Sequence, residues 1–260
     1  LTADFLSSAN RGLRCGGGLD ISGLEINQYY IRAIRMARSG NSLRISKFAQ
    51  VALGEGIISQ GQLIDQEQFV KILNNFLKAN RWRKSDWMVV LPEGAIYTTY
   101  KLFPELSRED LAEAVEINVP SLLPGDPTMI YYGWQETSIV GQNKHQDEKI
   151  AGPEAMISSI TKENLEVYLL ALAKLKIVPL SVEPKASAIA RVFDRTNNTL
   201  IINLETAGLS TANKSNKPIV KQSLNQQEAN IGSKLVVSSI IINEGFARFS
   251  REVTLEAQSK

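Results

Sequence analysis

The sequence predicts an α/β protein that carries an α+β insert in its middle. Three patterns predict this: an alternating, meander-like opening from Leu24 to Leu53, strand and helix signals punctuated by prolines from Trp87 to Val182, and strongly β-forming runs after Thr199.

Residues 1–18 end in RGLRCGGG without apolar periodicity and read as a flexible lead-in. A glycine run cradles phosphate only between a strand and a helix, and here a strand-like segment follows it. Ile31, Ala33 and Ile34, then Leu43, Ile45 and Phe48, suggest successive strands joined by the turn Arg38-Ser39-Gly40-Asn41. Asp65 caps a helix whose Phe69, Ile72, Leu73, Phe76 and Leu77 fall on one face, which must lie on a sheet.

Trp87–Leu91 reads as a short buried strand, and Pro92-Glu93-Gly94 turns the chain into a second, Ile96–Phe103. Ser107 with Asp110 three residues on resembles a capping box, and the helix it starts is expected to end before Pro120. A strand through Tyr131-Tyr132 follows, then Met156–Ile160, the helix Lys162–Lys176 with Leu165, Tyr168, Leu169, Leu172 and Leu175 inward, and Val178–Val182. The order β, α, β, β, α, β suits a compact insert with helices layered on a sheet. Pro184 leads into a short helical stretch, Lys185–Phe193. Thr199–Leu204 and Lys234–Ile242 are β-forming, Phe246–Leu255 alternates, and the Asn-, Ser-, Lys- and Gln-rich segment Thr206–Ser233 reads as an exposed insertion.

Composition closes off several functions. With 43% hydrophobic and 22% charged residues, the 260-residue chain is ordinary globular material, and its longest apolar runs fall short of a membrane-spanning helix. A net charge of +2 from 29 basic and 27 acidic residues is not the footprint of a nucleic-acid binder. The single cysteine, Cys15, excludes an internal disulfide and a multi-thiolate metal site. The single histidine, His145, lies in the polar run 141–152, which leaves hydrolytic triads and histidine-based zinc sites without material. The chain begins at Leu1 rather than Met, as a fragment or processed product does.

The segment Lys101–Tyr132 resembles the small extra subdomain of the type IV pilus biogenesis PilM family, an actin-like (ribonuclease H-like) fold related to FtsA and GspL. The resemblance rests on Phe103-Pro104-Glu105-Leu106-Ser107, Leu111, Ala112, Ala114, Val119-Pro120, Leu123-Pro124 and Tyr131-Tyr132. It implies a division into the lead-in 1–18, a first part of actin-like subdomain 1A at 19–88, an inserted 1C-like subdomain at 89–180, a return to 1A at 181–198, and the start of a 2A-like second lobe at 199–260 with the polar insertion 206–233. The chain ends at Lys260, where the family strand would lead on into the adenosine-binding lobe.

The resemblance also places the nucleotide turns, and both are altered. In Gly23–Met36, Glu25 stands for the family Asp, Asn27 for its Gly, Gln28, Tyr29 and Tyr30 for its small residues, and Arg32 for its Lys. Glycine at such a turn lets backbone N–H groups approach phosphate and accepts positive φ. Asn tolerates that backbone, but the two tyrosines would crowd the approach; they are either a plug in the phosphate pocket or plain strand residues. In Leu200–Gly208, Asn203 stands at the second Asp and Glu205 at the Gly. A Glu205 charge about 5 Å from a polyphosphate, at an effective dielectric of about 20, would repel it by about 3 kcal/mol, or about two decades in affinity. The bland alternative is that Asn203 and Glu205 close a hairpin.

The implied function is a non-catalytic scaffold, a pseudo-ATPase without cofactor, on the cytoplasmic face of an inner-membrane pilus assembly platform. It would be peripheral to the membrane and would bind the cytoplasmic tail of a bitopic PilN-like partner beside other platform subunits, with homo-oligomerisation left open. The groove for that tail would be lined by Tyr97, Thr99, Leu102, Val115 and Val119, whose alternative role is core packing. Two alternatives stand beside it: a nucleotide-binding actin-like ATPase that takes ATP and Mg, and a GspL-like adaptor of type II secretion.

Overall fold

The structure is a computed structural model that describes residues 21–39, 42–82, 85–137, 152–193, 198–206, 234–243 and 246–256. The lead-in with Cys15, the loop with His145 and the polar insertion from residue 207 onward lie outside them.

The opening forms a meander of β1 (Ile21–Ile26), β2 (Tyr30–Ser39) and β3 (Ser42–Ala52), each antiparallel to the next. In β1 the alternation is clean, with Ser22, Leu24 and Ile26 buried. A small ribbon, β4 (Ile58–Ser59) and β5 (Gln62–Leu63), leads into α1 (Gln66–Ala79). Asp65 caps α1 by accepting from the Gln68 N–H at 2.9 Å, and Phe69, Leu73 and Phe76 are buried, as the spacing predicts. Next, β6 (Asp86–Leu91) returns parallel to β1.

The insert follows, with β7 (Tyr97–Leu102), α2 (Arg108–Leu122), β8 (Ile130–Glu136) and β9 (Glu154–Thr161). Its three strands lie in the order β7-β9-β8, all antiparallel, and α2 covers one face with Leu111, Val115 and Val119. The Ser107 cap is as expected, accepting from the Asp110 N–H at 3.2 Å. The helix end is not. Proline costs a helix interior about 3 kcal/mol through a lost hydrogen bond and a clash, yet α2 runs through Pro120 to Leu122. Buried Val119 and Leu123 tie the turns on either side of it to the sheet, and the Asn118 side chain donates to the Ala114 carbonyl at 2.7 Å.

The chain then returns to the first core through α3 (Lys162–Ala173) and β10 (Pro179–Pro184). The predicted element order is present, but its last helix and strand do not belong to the insert. Strand β10 pairs parallel with β6, which completes a five-stranded sheet β10-β6-β1-β2-β3. Helix α3 packs on α1, with Tyr168 edge-on to Phe69 at 6.5 Å between ring centroids. A boundary at 88/89 would cut through β6, which lies wholly in the large sheet; the insert's own core draws on β7, α2, β8 and β9.

After α4 (Lys185–Ala190), β11 (Thr199–Thr206), β12 (Lys234–Asn243) and β13 (Phe246–Glu256) form an antiparallel sheet in the order β11-β12-β13. Val236, Ser238, Ile240 and Ile242 are buried on its inner face, where Ala186 and Ala190 of α4 pack beside Ile240 and Ile242. On the outer face Leu200, Ile202, Leu204, Phe249 and Leu255 are 50–62% exposed.

Candidate functional site

Residues 27–29 turn the chain between β1 and β2, and the turn is closed by its own hydrogen bonds. The Asn27 N–H donates to the Tyr30 carbonyl at 3.0 Å, and the Tyr29 N–H donates to Asn27 Oδ1 at 3.1 Å. The Tyr29 carbonyl accepts from the Leu53 N–H at 2.8 Å, and Asn27 is buried. Backbone N–H groups that a phosphate turn would aim outward are therefore engaged inward. Asn27 does not adopt the positive φ that Asn tolerates at such a turn: among the described residues, non-glycine positive φ occurs at Gln60, Arg81 and Lys176.

Beside this turn lies a cluster of charges centred on Lys185, the first residue of α4, whose side chain is 8% exposed. Its Nζ lies 3.5 Å from Glu25 Oε1 and 4.0 Å from Glu252 Oε2, and it donates to the Tyr30 hydroxyl at 3.3 Å. That hydroxyl donates to Glu25 Oε1 at 3.0 Å. Arg32 lies over the Tyr30 ring, 3.9 Å from its centroid, donates through Nε to Gln50 Oε1 at 2.7 Å, and has a terminal nitrogen 3.6 Å from Glu25 Oε2. On the far side, Ser238 Oγ donates to Glu252 Oε2 at 3.3 Å, and the Tyr29 hydroxyl hydrogen-bonds Thr254 Oγ1 at 2.8 Å. The cluster ties β1 and β2 of the large sheet to β12 and β13 of the second sheet.

A cation at a helix N-terminus opposes the positive end of the helix dipole, and a buried one is costly unless paired. The two glutamates supply that pairing. Glu25, Asn27, Tyr29, Tyr30 and Arg32 thus lie together at this junction, whereas Gln28 faces a small cavity of about 150 Å³ that it lines with Tyr29, Glu55, Gly56 and Ile58.

The second turn is corrected. Asn203 and Glu205 lie within β11, paired with Ser238 and Val236, so they neither form a phosphate turn nor close a hairpin. The strand keeps its antiparallel pairing through Thr206. Register still brings Asn203 near the cluster, because Asn203, Ser238 and Glu252 are cross-strand neighbours on one face. Sequence reasoning missed Lys185, Ser238, Glu252 and Thr254. The available signal was Lys185 itself, a lone charge in the small-residue helix KASAIA just after Pro184.

The expected partner groove is corrected as well, because its five residues do not share a surface. Val115 and Val119 are 0% and 2% exposed in the core of the insert. Strand alternation puts Tyr97 and Thr99 on the face that α2 covers, since Thr99 pairs with buried Ile157, and puts Leu102 on the opposite face. Tyr97, at the start of edge strand β7, is 47% exposed.

The insert is also bonded to the second sheet. The Tyr100 hydroxyl donates to the Ala247 carbonyl, and Arg248 lies 4.8 Å from the Tyr100 ring centroid while pairing with Glu154. Burial pushes the Tyr100 phenol up to about 12. Among the described residues no His, Cys, Asp and Glu group could hold a metal ion, and no helix is long and apolar enough to cross a membrane.

No curated protein matches the chain by sequence. Among solved structures, a chain of the PilM-PilN type IV pilus biogenesis complex matches with a TM-score of 0.64 at 15% identity, over 92% of this chain and 62% of that one. The cytoplasmic domain of EpsL, an inner membrane component of the type II secretion system of Vibrio cholerae, is similar at a TM-score of 0.47 and 11% identity, over 91% of this chain and 71% of that one. A Bacteroides thetaiotaomicron protein with an actin-like ATPase fold and unknown function follows at 0.38 and 7%, over 92% and 71%. The fold of this chain, a mixed sheet with an α+β insert followed by a second sheet, is of the actin-like class. The chain spans less than two thirds of the PilM-PilN complex chain it matches. The profile of the type IV pilus assembly protein PilM matches residues 23–213, and the chain belongs to that family.

Proposed function

We propose that this protein is a non-catalytic scaffold of a type IV pilus assembly platform, held at the cytoplasmic face of the inner membrane by the tail of a bitopic PilN-like protein. The observation that carries the non-catalytic part is Lys185. Its ammonium already neutralises Glu25, the carboxylate in the place of the family Asp, and the turn's N–H groups at Asn27 and Tyr29 are engaged within the turn. The residues at this turn do not suit a magnesium nucleotide: the carboxylate is ion-paired and Tyr29 reaches across to Thr254 where phosphates would enter.

The partner part is supported by family membership and by the likeness to the PilM-PilN complex. An extended tail suits the edge strand β7, where Tyr97 offers an exposed ring and the backbone a pairing edge. Other platform subunits and self-association belong to the same proposal. The test is a calorimetric titration of the protein with synthetic cytoplasmic tails of PilN-like proteins, with Tyr97→Ala as the variant. Saturable binding weakened at least several-fold by Tyr97→Ala supports the reading, and failure of every pilus-type tail to bind would overturn it.

A further inference from the structure

An antiparallel sheet with one face in water ordinarily turns its polar side chains outward. Strand β11 does the opposite: Asn203 faces inward beside Ser238, while Leu200, Ile202 and Leu204 face out. Register stacks the outer face into cross-strand rows, Leu200–Ile241–Phe249, Ile202–Ser239–Arg251 and Leu204–Val237–Val253, with Leu235 beside Leu255 after them. Seven of these apolar side chains are 38–62% exposed, and Arg251 is the one charge in the rows.

The seven expose on the order of 600 Å², the upper end of the largest apolar patch usual on a soluble monomer. Laid against the same face of a second copy, they would bury about 1,200 Å² in total, the size at which specific interfaces begin. A bilayer is a poorer match, because surface binding to anionic lipid draws on clustered cations and these rows hold Arg251 alone.

We propose that the outer face of the second sheet is the interface of a homodimer, in which a second copy stacks the same face upon it. Two sheets packed in this way lie about 10 Å apart with their strands within about 30° of each other. A two-fold axis along β12 sets β11 of one copy over β13 of the other. Leu200 then meets the partner's Phe249, Leu204 meets the partner's Val253, and Ile241 meets the partner's Ile241. The aliphatic stem of Arg251 lies on the partner's Ile202 while its guanidinium reaches water at the rim. An axis across the strands would instead oppose the two Arg251 cations. The proposal gives a surface to the self-association in the scaffold reading and rests on that part of it alone; tail binding at β7 is a separate event.

Sedimentation velocity of the full chain over a micromolar concentration series tests it, and a dimer is expected. Ile241→Lys places two cations on the axis and is expected to weaken association at least about tenfold. Ile202→Lys, which meets the partner's Arg251, is expected to weaken it more than Ile202→Glu, which can pair with that arginine. Ile117→Lys, on the exposed side of α2, is expected to change nothing. In a Cys15→Ser background, the thiol of Ser239→Cys is expected to react with a maleimide several-fold faster once Ile241→Lys is added. The substituted positions are exposed or half-buried, so far-ultraviolet circular dichroism should report folded variants. A monomer at every concentration, or a dimer that Ile241→Lys leaves intact, would overturn the proposal. A monomer in which the Ser239→Cys thiol is unreactive would overturn it and show the face covered from within the same molecule. A monomer that still binds a PilN-like tail would overturn the dimer and leave the tail reading standing, whereas a dimer that binds no tail would do the reverse.

Discussion

Replacing Lys185 with Met removes the buried cation that faces both Glu25 and Glu252 while keeping an unbranched side chain in its place. The Nζ lies 3.5 and 4.0 Å from the two carboxylates, and at an effective dielectric of about 20 each contact is worth about 4–5 kcal/mol of attraction. Desolvation returns several kcal/mol per ion, so the useful quantity is the cost of leaving the partners behind, about 3–5 kcal/mol for a fully buried pair. Both glutamate side chains keep 22% exposure, and Glu25 keeps Arg32 at 3.6 Å. The expected loss therefore falls to about 2–3 kcal/mol. Urea unfolding followed by circular dichroism measures it, with a lower midpoint at unchanged slope. Combined with Glu25→Gln, the double variant is expected to lose less than the sum of the singles by at least about 1 kcal/mol. A Lys185→Met loss below about 0.5 kcal/mol, or additivity in the cycle, would refute the reasoning that this lysine pins the two sheets together.

Other outcomes follow from the same geometry. Val115→Ala opens a cavity in the core of the insert and is expected to cost about 2 kcal/mol in the same unfolding assay without changing tail affinity, whereas Tyr97→Ala should do the reverse. Gly61 has φ +78°, and a Cβ there would lie 2.2 Å from the Ala95 nitrogen, so Gly61→Ala is expected to cost more than about 3 kcal/mol and to lower the melting temperature sharply. Because burial raises the Tyr100 phenol to about 12, the folded state holds that proton above pH 10 while the unfolded chain releases it. Stability should then fall between about pH 10 and 12, by at most about 1.4 kcal/mol per pH unit from this group, and Tyr100→Phe should flatten the fall in a pH series of melts.

The parts of the fold written in local pattern were legible. Asp65 and Ser107 announced their helices, the meander followed from alternation, and the spaced match around Phe103 to Tyr132 carried the family. What sequence could not supply was the partner of each strand. Strands β6 and β10 look like neighbours of the insert along the chain, yet their apolar faces complete the large sheet, a non-local choice set by burial. Pro120 misled because a local penalty was outweighed by Val119 and Leu123 docking. In the candidate site, residues adjacent in sequence, Glu25 to Arg32, were found together, while Lys185, Glu252 and Thr254 arrive from far along the chain and carry no motif of their own. The groove residues failed for a geometric reason: neither a helix face nor strand alternation allows all five onto one surface.

Calorimetric titration of the protein with Mg-ATP bears most directly on the claim that its own lysine and tyrosines take the place of phosphates. With Glu25 paired to Lys185 and Tyr29 joined to Thr254, no saturable heat is expected at millimolar nucleotide. Saturable binding in the micromolar range, weakened by Asn27→Ala, would contradict it.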